Sequence, residues 1–79
     1  EVLTVGLRDI REARGLLQEQ LAEKSGVKVR SIRAYEQGTL DINGAKLNTL
    51  LKLAKCLDCK VLDLLTDKET KDLYSNSIF

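Results

Sequence analysis

Two cysteines and a group of basic side chains are the residues whose chemistry could give this chain a function. Cys56 and Cys59 form a CxxC pair, a spacing found in zinc sites and in thiol–disulfide redox motifs. A structural zinc ion takes four ligands, but the sequence has no histidine and no further cysteine. A redox CxxC usually begins a helix after a strand, whereas this pair lies near a predicted helix end. We therefore expect two free thiols that pack as small apolar groups, with no metal and no cofactor.

The basic side chains are concentrated in the first half of the chain, although the net charge of the 79 residues is only +1. Between positions 26 and 38, Lys28, Arg30 and Arg33 stand against one acidic residue, Glu36. Three more arginines precede this segment, and from Thr39 onward six basic residues balance six acidic ones. A surface that attracts nucleic acid must therefore come from the first half.

The same inventory argues against an enzyme. Histidine, the side chain best suited to acid–base work near neutral pH, is absent. Neither cysteine has an evident base partner, and the scattered carboxylates are explained as solvated surface groups. No apolar run approaches the roughly 18 residues that span a bilayer, and no basic-then-apolar leader is visible. The sequence predicts a non-enzymatic, cytoplasmic protein without membrane contact, since a reducing cytosol suits free thiols.

Apolar residues recur at helical spacing, and the absence of proline favours continuous helices. The pattern predicts an all-α domain over residues 1–66, with helices at about 5–14, 18–25, 29–37, 44–57 and 61–65. Asn43 is expected to cap the fourth helix, which would bury a stripe of Leu47, Leu50, Leu51 and Ala54. Thr66 and Glu69 read as a capping box. The tail, 67–79, is accordingly expected to form a short extra helix or a dimerisation segment.

The segment 18–37 has the pattern of a helix-turn-helix, in which two helices cross steeply through a tight turn. The close crossing requires a small residue, and Ala22 occupies that position. The turn requires a residue that tolerates positive φ, and Gly26 occupies it, followed by the apolar Val27. Ile32 is placed to pack back onto Leu21 and Ala22. Each position has a steric reason, so the match is more than a composition effect.

These landmarks resemble the lambda-repressor/Cro type of helix-turn-helix domain, the XRE family. The matching stretches are LRDIREARGL, QEQLAEKSGV, SIRAYEQG, LNTLLKLAKCL and VLDLL, which lie within residues 7–65. The resemblance implies a compact five-helix fold and a second motif helix that reads the major groove of double-stranded DNA.

The resemblance also implies roles for individual residues. Base contacts are expected from Val29, Arg30, Arg33 and Ala34, because arginine offers paired donors to guanine and the apolar side chains suit a thymine methyl group. Phosphate contacts are expected from Gln18, Lys28, Gln37 and Thr39. In such domains a salt bridge joins the first and third helices, and the corresponding residues here are Arg11 and Glu36.

Three features depart from the family pattern. Leu17 and Lys28 stand where capping side chains are usual, and the loss of a cap typically costs about 0.5–2 kcal/mol. The connection 39–46 is longer than usual and carries Asp41, an acidic group near the expected DNA side. This puts loop contacts to DNA in doubt but leaves the motif unaffected.

Two functions follow as hypotheses. The first is a transcriptional regulator, most simply a repressor, that binds its operator as a homodimer, because one module buries too little DNA surface for high specificity. The second is an antitoxin or adaptor whose main partner is another protein, such as a toxin. A dimer surface and the completion of the monomer core are equally good explanations for a group of apolar residues, namely Leu62, Leu65, Leu73, Tyr74, Ile78 and Phe79.

Overall fold

Every regular element of the computed structural model, which describes residues 6–77, is helical. The order is α1 (Leu7–Ala13), α2 (Gln18–Ser25), α3 (Val29–Gln37), a 3₁₀ turn (Ile42–Gly44), α4 (Leu47–Leu57), α5 (Val61–Leu64) and α6 (Lys68–Ser77). The all-α prediction is confirmed, and the extra C-terminal helix is present.

A single apolar core receives side chains from the first five helices. Leu21 of α2 and Ile32 of α3 are fully buried in it, as the motif predicts. Burying each such side chain contributes about 1.5–3 kcal/mol, so the core fixes the angle between these two helices. The other side chains with under 2% exposure come from α4, α5 and the residue after α5, namely Leu53, Leu57, Leu64 and Leu65.

The helices α2 and α3 have the predicted bounds, because a glycine ends each of them. Gly26 and Gly38 have φ angles of 80° and 85°, a left-handed conformation that strains any residue with a Cβ atom. The predicted start of α1 at residue 5 lies outside the described residues. Within them α1 begins at Leu7, and the Asp9 carboxylate accepts a hydrogen bond from the Gly6 N–H at 3.1 Å.

The predicted start of α4 at residue 44 is wrong, because the preceding segment forms its own 3₁₀ turn. Asp41 begins this turn, and its carboxylate accepts the Asn43 N–H at 3.0 Å. Ala45 and Lys46 are then extended, and α4 begins only at Leu47. The hydrogen bond between the Asp41 carboxylate and the Asn43 N–H stabilises the 3₁₀ turn, so the chain is not α-helical at residue 44.

Asn43 therefore does not cap α4, and it instead bonds to the start of α6. Its side-chain oxygen accepts the N–H groups of Thr66 and Asp67, both at 2.9 Å, and its amide nitrogen donates to Thr66 Oγ1 at 2.9 Å. The predicted Thr66–Glu69 capping box is shifted by one residue. The carboxylate of Asp67 accepts the Thr70 N–H at 3.0 Å and is the actual cap.

The buried stripe of α4 also differs from the prediction. Leu50 and Ala54 are buried as expected, together with Leu53 and Leu57, but Leu47 and Leu51 are 55% and 49% exposed. The face of α4 that carries Leu53 and Leu57 packs on the core, so Leu47 and Leu51 lie at the edge of the core. They line an open groove of about 650 Å³ with Leu73 of α6.

Candidate nucleic-acid interface

The turn between α2 and α3 is held by short-range hydrogen bonds. The Gly26 N–H donates to the Ala22 carbonyl at 2.9 Å, and the Val27 N–H donates to Ser25 Oγ at 3.1 Å. Val27 is buried, and Lys28 is extended and immediately precedes α3. The turn thus fixes where the outer face of α3 points.

The four residues predicted to contact bases share one face of α3. At 100° per residue, Val29, Arg30, Arg33 and Ala34 fall within a sector of about 140°, and the buried Ile32 lies outside this sector. Arg30 and Arg33 are exposed, whereas Val29 and Ala34 are half-buried. The fold therefore brings the predicted base-contact residues together on one outer surface.

Arg33 is bonded to the beginning of α2. Its Nε donates to Gln18 Oε1 at 3.2 Å, and its Nη2 donates to Glu19 Oε2 at 2.9 Å. The Arg33 and Glu19 side chains remain 48% and 66% exposed, so this ion pair lies at the surface. The contact links the two helices of the motif on their solvent side.

A buried ion pair lies beneath this contact. Arg11 Nε and Nη2 donate to the two carboxylate oxygens of Glu36 at 2.7 and 3.0 Å, and Gln18 Nε2 donates to Glu36 Oε1 at 2.9 Å. The Arg11 and Glu36 side chains are only 9% and 4% exposed. Arg11 Nη1 also donates to the Leu16 carbonyl at 2.7 Å, so the guanidinium joins α1, α3 and the α1–α2 connection.

The charge of Glu36 depends on these donors. Burial alone would raise the pKa of its carboxyl, but the hydrogen bonds from Arg11 and Gln18 bring that pKa below its ordinary value of 4.5. The hydrogen bond to Glu36 in turn raises the pKa of Arg11. Both groups are therefore ionised at neutral pH, and the pair holds α3 against α1.

The residues predicted to contact phosphate lie near the two ends of the motif helices. Gln18 begins α2, Lys28 precedes α3, and Gln37 and Thr39 lie at and beyond the end of α3. Thr39 Oγ1 donates to the Ala34 carbonyl at 3.2 Å. Apart from the half-buried Gln18, these side chains are exposed.

The start of α2 leaves backbone donors for an anion. Leu17 precedes this helix, is 63% exposed and has no side-chain oxygen to cap it. The Gln20 side chain does accept the Leu17 N–H at 2.8 Å, but the first-turn N–H groups keep no capping side chain. Such a helix start favours a phosphate.

The three arginines before the motif have partners within the chain. Arg8 pairs with Glu12 at 3.2 Å, and Arg11 is buried against Glu36. Arg14 Nε donates to the Leu57 carbonyl at 2.7 Å, at the end of α4. The basic surface at the motif is therefore narrower than the sequence suggests.

The cysteines lie away from this surface. Cys56 and Cys59 are free and half-buried, and both pack against the apolar core. Burial raises the pKa of the Cys59 thiol, which keeps it protonated at neutral pH. No group of three or more metal-ligating side chains occurs among residues 6–77.

Glu19 is a site residue that no sequence motif indicates. Its position beside Gln18 at the start of α2 is the one hint in the sequence. Its contact with Arg33 joins residues that are 14 positions apart, on either side of the turn. Only the crossing angle of the two helices shows that these side chains meet.

Residues 7–64 match the family model described as helix-turn-helix. The chain belongs to this helix-turn-helix family. Over 64 residues it is 41% identical to the cryptic phage CTXphi transcriptional repressor RstR of Vibrio cholerae, an alignment that covers 81% of this chain and 55% of that protein. Over 72 residues it is 38% identical to control protein C.SmaI of Serratia marcescens, with coverage of 91% and 82%. The chain thus spans about half the length of RstR, and no solved structure matches it.

The match to the family model confirms the predicted helix-turn-helix family. The two relatives agree with sequence-specific DNA binding by a transcription regulator. The assignments of individual residues to bases and phosphates remain predictions, as does the division of the chain after residue 66. Among residues 6–77, no helix of this helix-turn-helix domain is long and apolar enough to cross a membrane.

Proposed function

We propose that this chain is the DNA-binding part of a transcriptional repressor and that α3 reads its operator in the major groove. The observation that carries the proposal is the outer face of α3, where Arg30 and Arg33 project between Val29 and Ala34. The major groove admits one α-helix, and an arginine pairs its donors with guanine O6 and N7. A protein of this kind acts by binding rather than catalysis, in the cytoplasm where its operator lies.

Phosphate contacts would set the position of the domain on the duplex. The first-turn N–H groups of α2, which have no side-chain cap among residues 6–77, suit one phosphate with Gln18 beside them, and Lys28 before α3 suits another. Gln37 and Thr39 extend this contact beyond the end of α3. Phosphate contacts do not depend on the base sequence, so an experiment can distinguish their loss from the loss of an arginine that reads a base.

The test is a selection of bound oligonucleotides from a random duplex library, repeated with Arg30→Ala and Lys28→Ala. Loss of Arg30 should weaken binding to the selected sequence by about 1–3 kcal/mol and relax the choice at one base pair. Loss of Lys28 should weaken binding to all sequences alike and flatten its salt dependence.

Lys52→Ala is the control for this selection, because it removes an exposed charge of α4 outside the motif. If wild-type protein selects no sequence at low salt, the proposed function is wrong.

The antitoxin or adaptor hypothesis receives no better support from the comparisons. Salt dependence separates the two functions, because binding through several phosphates weakens steeply as salt rises. Binding dominated by a protein interface would respond weakly. The names of the two relatives, a transcriptional repressor and a control protein, favour the regulator.

We further propose that the domain binds as a homodimer, with two α3 helices about 34 Å apart on one face of the duplex. The exposed Leu47, Leu51 and Leu73 around the α4–α6 groove support such a contact. Of the residues suggested by the sequence, Leu65 is buried in the core, and Leu62 and Tyr74 pack against it. Ile78 and Phe79 lie outside the described residues.

A further inference from the structure

Arg33 uses one edge of its guanidinium group for surface contacts with its own chain. An arginine carries five N–H donors in a planar fork, which presents a side edge formed by Nε and one Nη and an end edge formed by both Nη atoms. Here Nε donates to Gln18 and Nη2 donates to Glu19. The side edge is thus occupied, and the Nη1–Nη2 end edge retains a pair of parallel donors.

The orientation of Gln18 follows from its other partner. The ionised Glu36 carboxylate can only accept hydrogen bonds, so the Gln18 amide nitrogen must point toward it. The Gln18 oxygen consequently points the other way, toward Arg33 Nε. The buried Arg11–Glu36 pair therefore fixes one of the two groups that hold Arg33.

Glu19 supplies the second and stronger hold, because its bond to Arg33 joins opposite charges. Two bonds to one edge set both the position and the plane of the guanidinium, which a single bond cannot do. A side chain ordered before binding loses less conformational entropy when it meets its target. The pair is half-exposed, so the remaining edge is accessible.

We propose that Glu19 is a specificity-determining positioning residue, which holds the Arg33 guanidinium so that its end edge meets a guanine in the major groove. This inference rests on the proposed DNA-binding function. Glu19 itself contacts no base. It acts by restricting Arg33 to an orientation that pairs with guanine O6 and N7 and that fits no other base equally well.

The experiment compares wild-type protein with Glu19→Gln, Arg33→Ala and Glu23→Gln on the selected operator and on its single-base variants. Glu23 is exposed on the same helix, so Glu23→Gln raises the net charge equally without altering the Arg33 contact. Arg33→Ala identifies the base pair that Arg33 reads. At that base pair, Glu19→Gln should reduce discrimination by at least about fivefold, the lower end of what one bidentate arginine–guanine contact supplies.

Discrimination at the other base pairs should not change, and Glu23→Gln should behave as wild type throughout. Thermal unfolding of each variant verifies that the fold is intact. The inference is overturned if Glu19→Gln keeps wild-type discrimination at the Arg33 base pair, or if it only shifts affinity for every sequence as Glu23→Gln does. Failure of wild-type protein to select any sequence would instead overturn the proposed function.

Discussion

The buried contact of Arg11 with Glu36 holds α3 against α1 and so supports the outer face of α3. Two charges are removed from water, and their desolvation is offset by two direct hydrogen bonds and by further bonds to Gln18 and the Leu16 carbonyl. Removal of one partner leaves the other charge buried and uncompensated, which typically costs about 3–5 kcal/mol. For an 8.8 kDa domain this is a large part of the stability.

We therefore expect Glu36→Gln to lower the free energy of unfolding by about 3 kcal/mol, as measured by urea denaturation at pH 7. The pKa of Glu36 is lower in the folded state than its ordinary value of 4.5. Its contribution is thus fully present above about pH 4.5 and is lost as the pH falls through the lower, folded-state pKa.

The decline in stability of wild-type protein in acid should be shallower in the Glu36→Gln variant. The exposed Glu23→Gln should retain the wild-type profile. Equal acid profiles for all three proteins would show that Glu36 does not stabilise the fold through its charge.

At the level of elements, the motif could be predicted from the sequence because its requirements are local. Gly26 and Gly38 mark the ends of α2 and α3, and those bounds agree with the structure. The region around Asn43 could not be predicted, because its partners Thr66 and Asp67 are more than 20 residues away. An asparagine before a helical pattern is typical of a local cap, and nothing local indicates a distant one.

The outer face of α3 could likewise be predicted only in part from the sequence. Helical periodicity alone places Val29, Arg30, Arg33 and Ala34 on one face. Whether Arg33 is free or bonded depends on how α2 crosses α3, and therefore on the packing of residues such as Leu21 and Ile32. The contact with Glu19 is a consequence of that packing and has no sequence pattern of its own.

The role of Asn43 gives a prediction at this scale. Asn43→Ala removes the acceptor for two N–H groups before α6 and should lower the free energy of unfolding by about 1–2 kcal/mol, comparable to the loss of a strong helix cap. Hydrogen exchange of the α6 amides should accelerate more than that of the α2 amides. Asn48→Ala, at an exposed asparagine of α4, is the control and should alter neither quantity appreciably. Uniform acceleration in all helices would contradict a local role.

For the whole molecule, the apolar groove between α4 and α6 is a surface where three large apolar side chains remain exposed. Leu47, Leu51 and Leu73 are each about half exposed or more, whereas leucines elsewhere in α4 and α5 are largely buried. Removing such side chains from water is favourable in proportion to the area covered. A second copy of the domain that covered these leucines would form the proposed homodimer.

If the homodimer forms through this groove, Leu51→Lys and Leu73→Lys should each shift the protein toward monomer in sedimentation equilibrium. Both should also weaken binding to a two-half-site operator more than to a single half-site. Leu40→Lys is the matched control for the mass measurement alone, because Leu40 is 46% exposed and lies outside the groove but directly follows Thr39, a predicted phosphate contact. An unchanged mass for both groove variants would rule out this surface as the dimer contact.

Arg8, Arg11 and Arg14 donate hydrogen bonds within the chain, and the small net charge bears on the rate at which the domain would encounter DNA. Each finds an acceptor within the chain, and the net charge is only +1. Arg8 and Arg11 are paired with carboxylates, whereas Arg14 bonds to a backbone carbonyl and keeps its charge. The small net charge itself means that the rate of encounter with a duplex gains little from electrostatic steering. If the proposed function is right, occupancy of an operator depends mainly on how slowly the complex dissociates once it has formed.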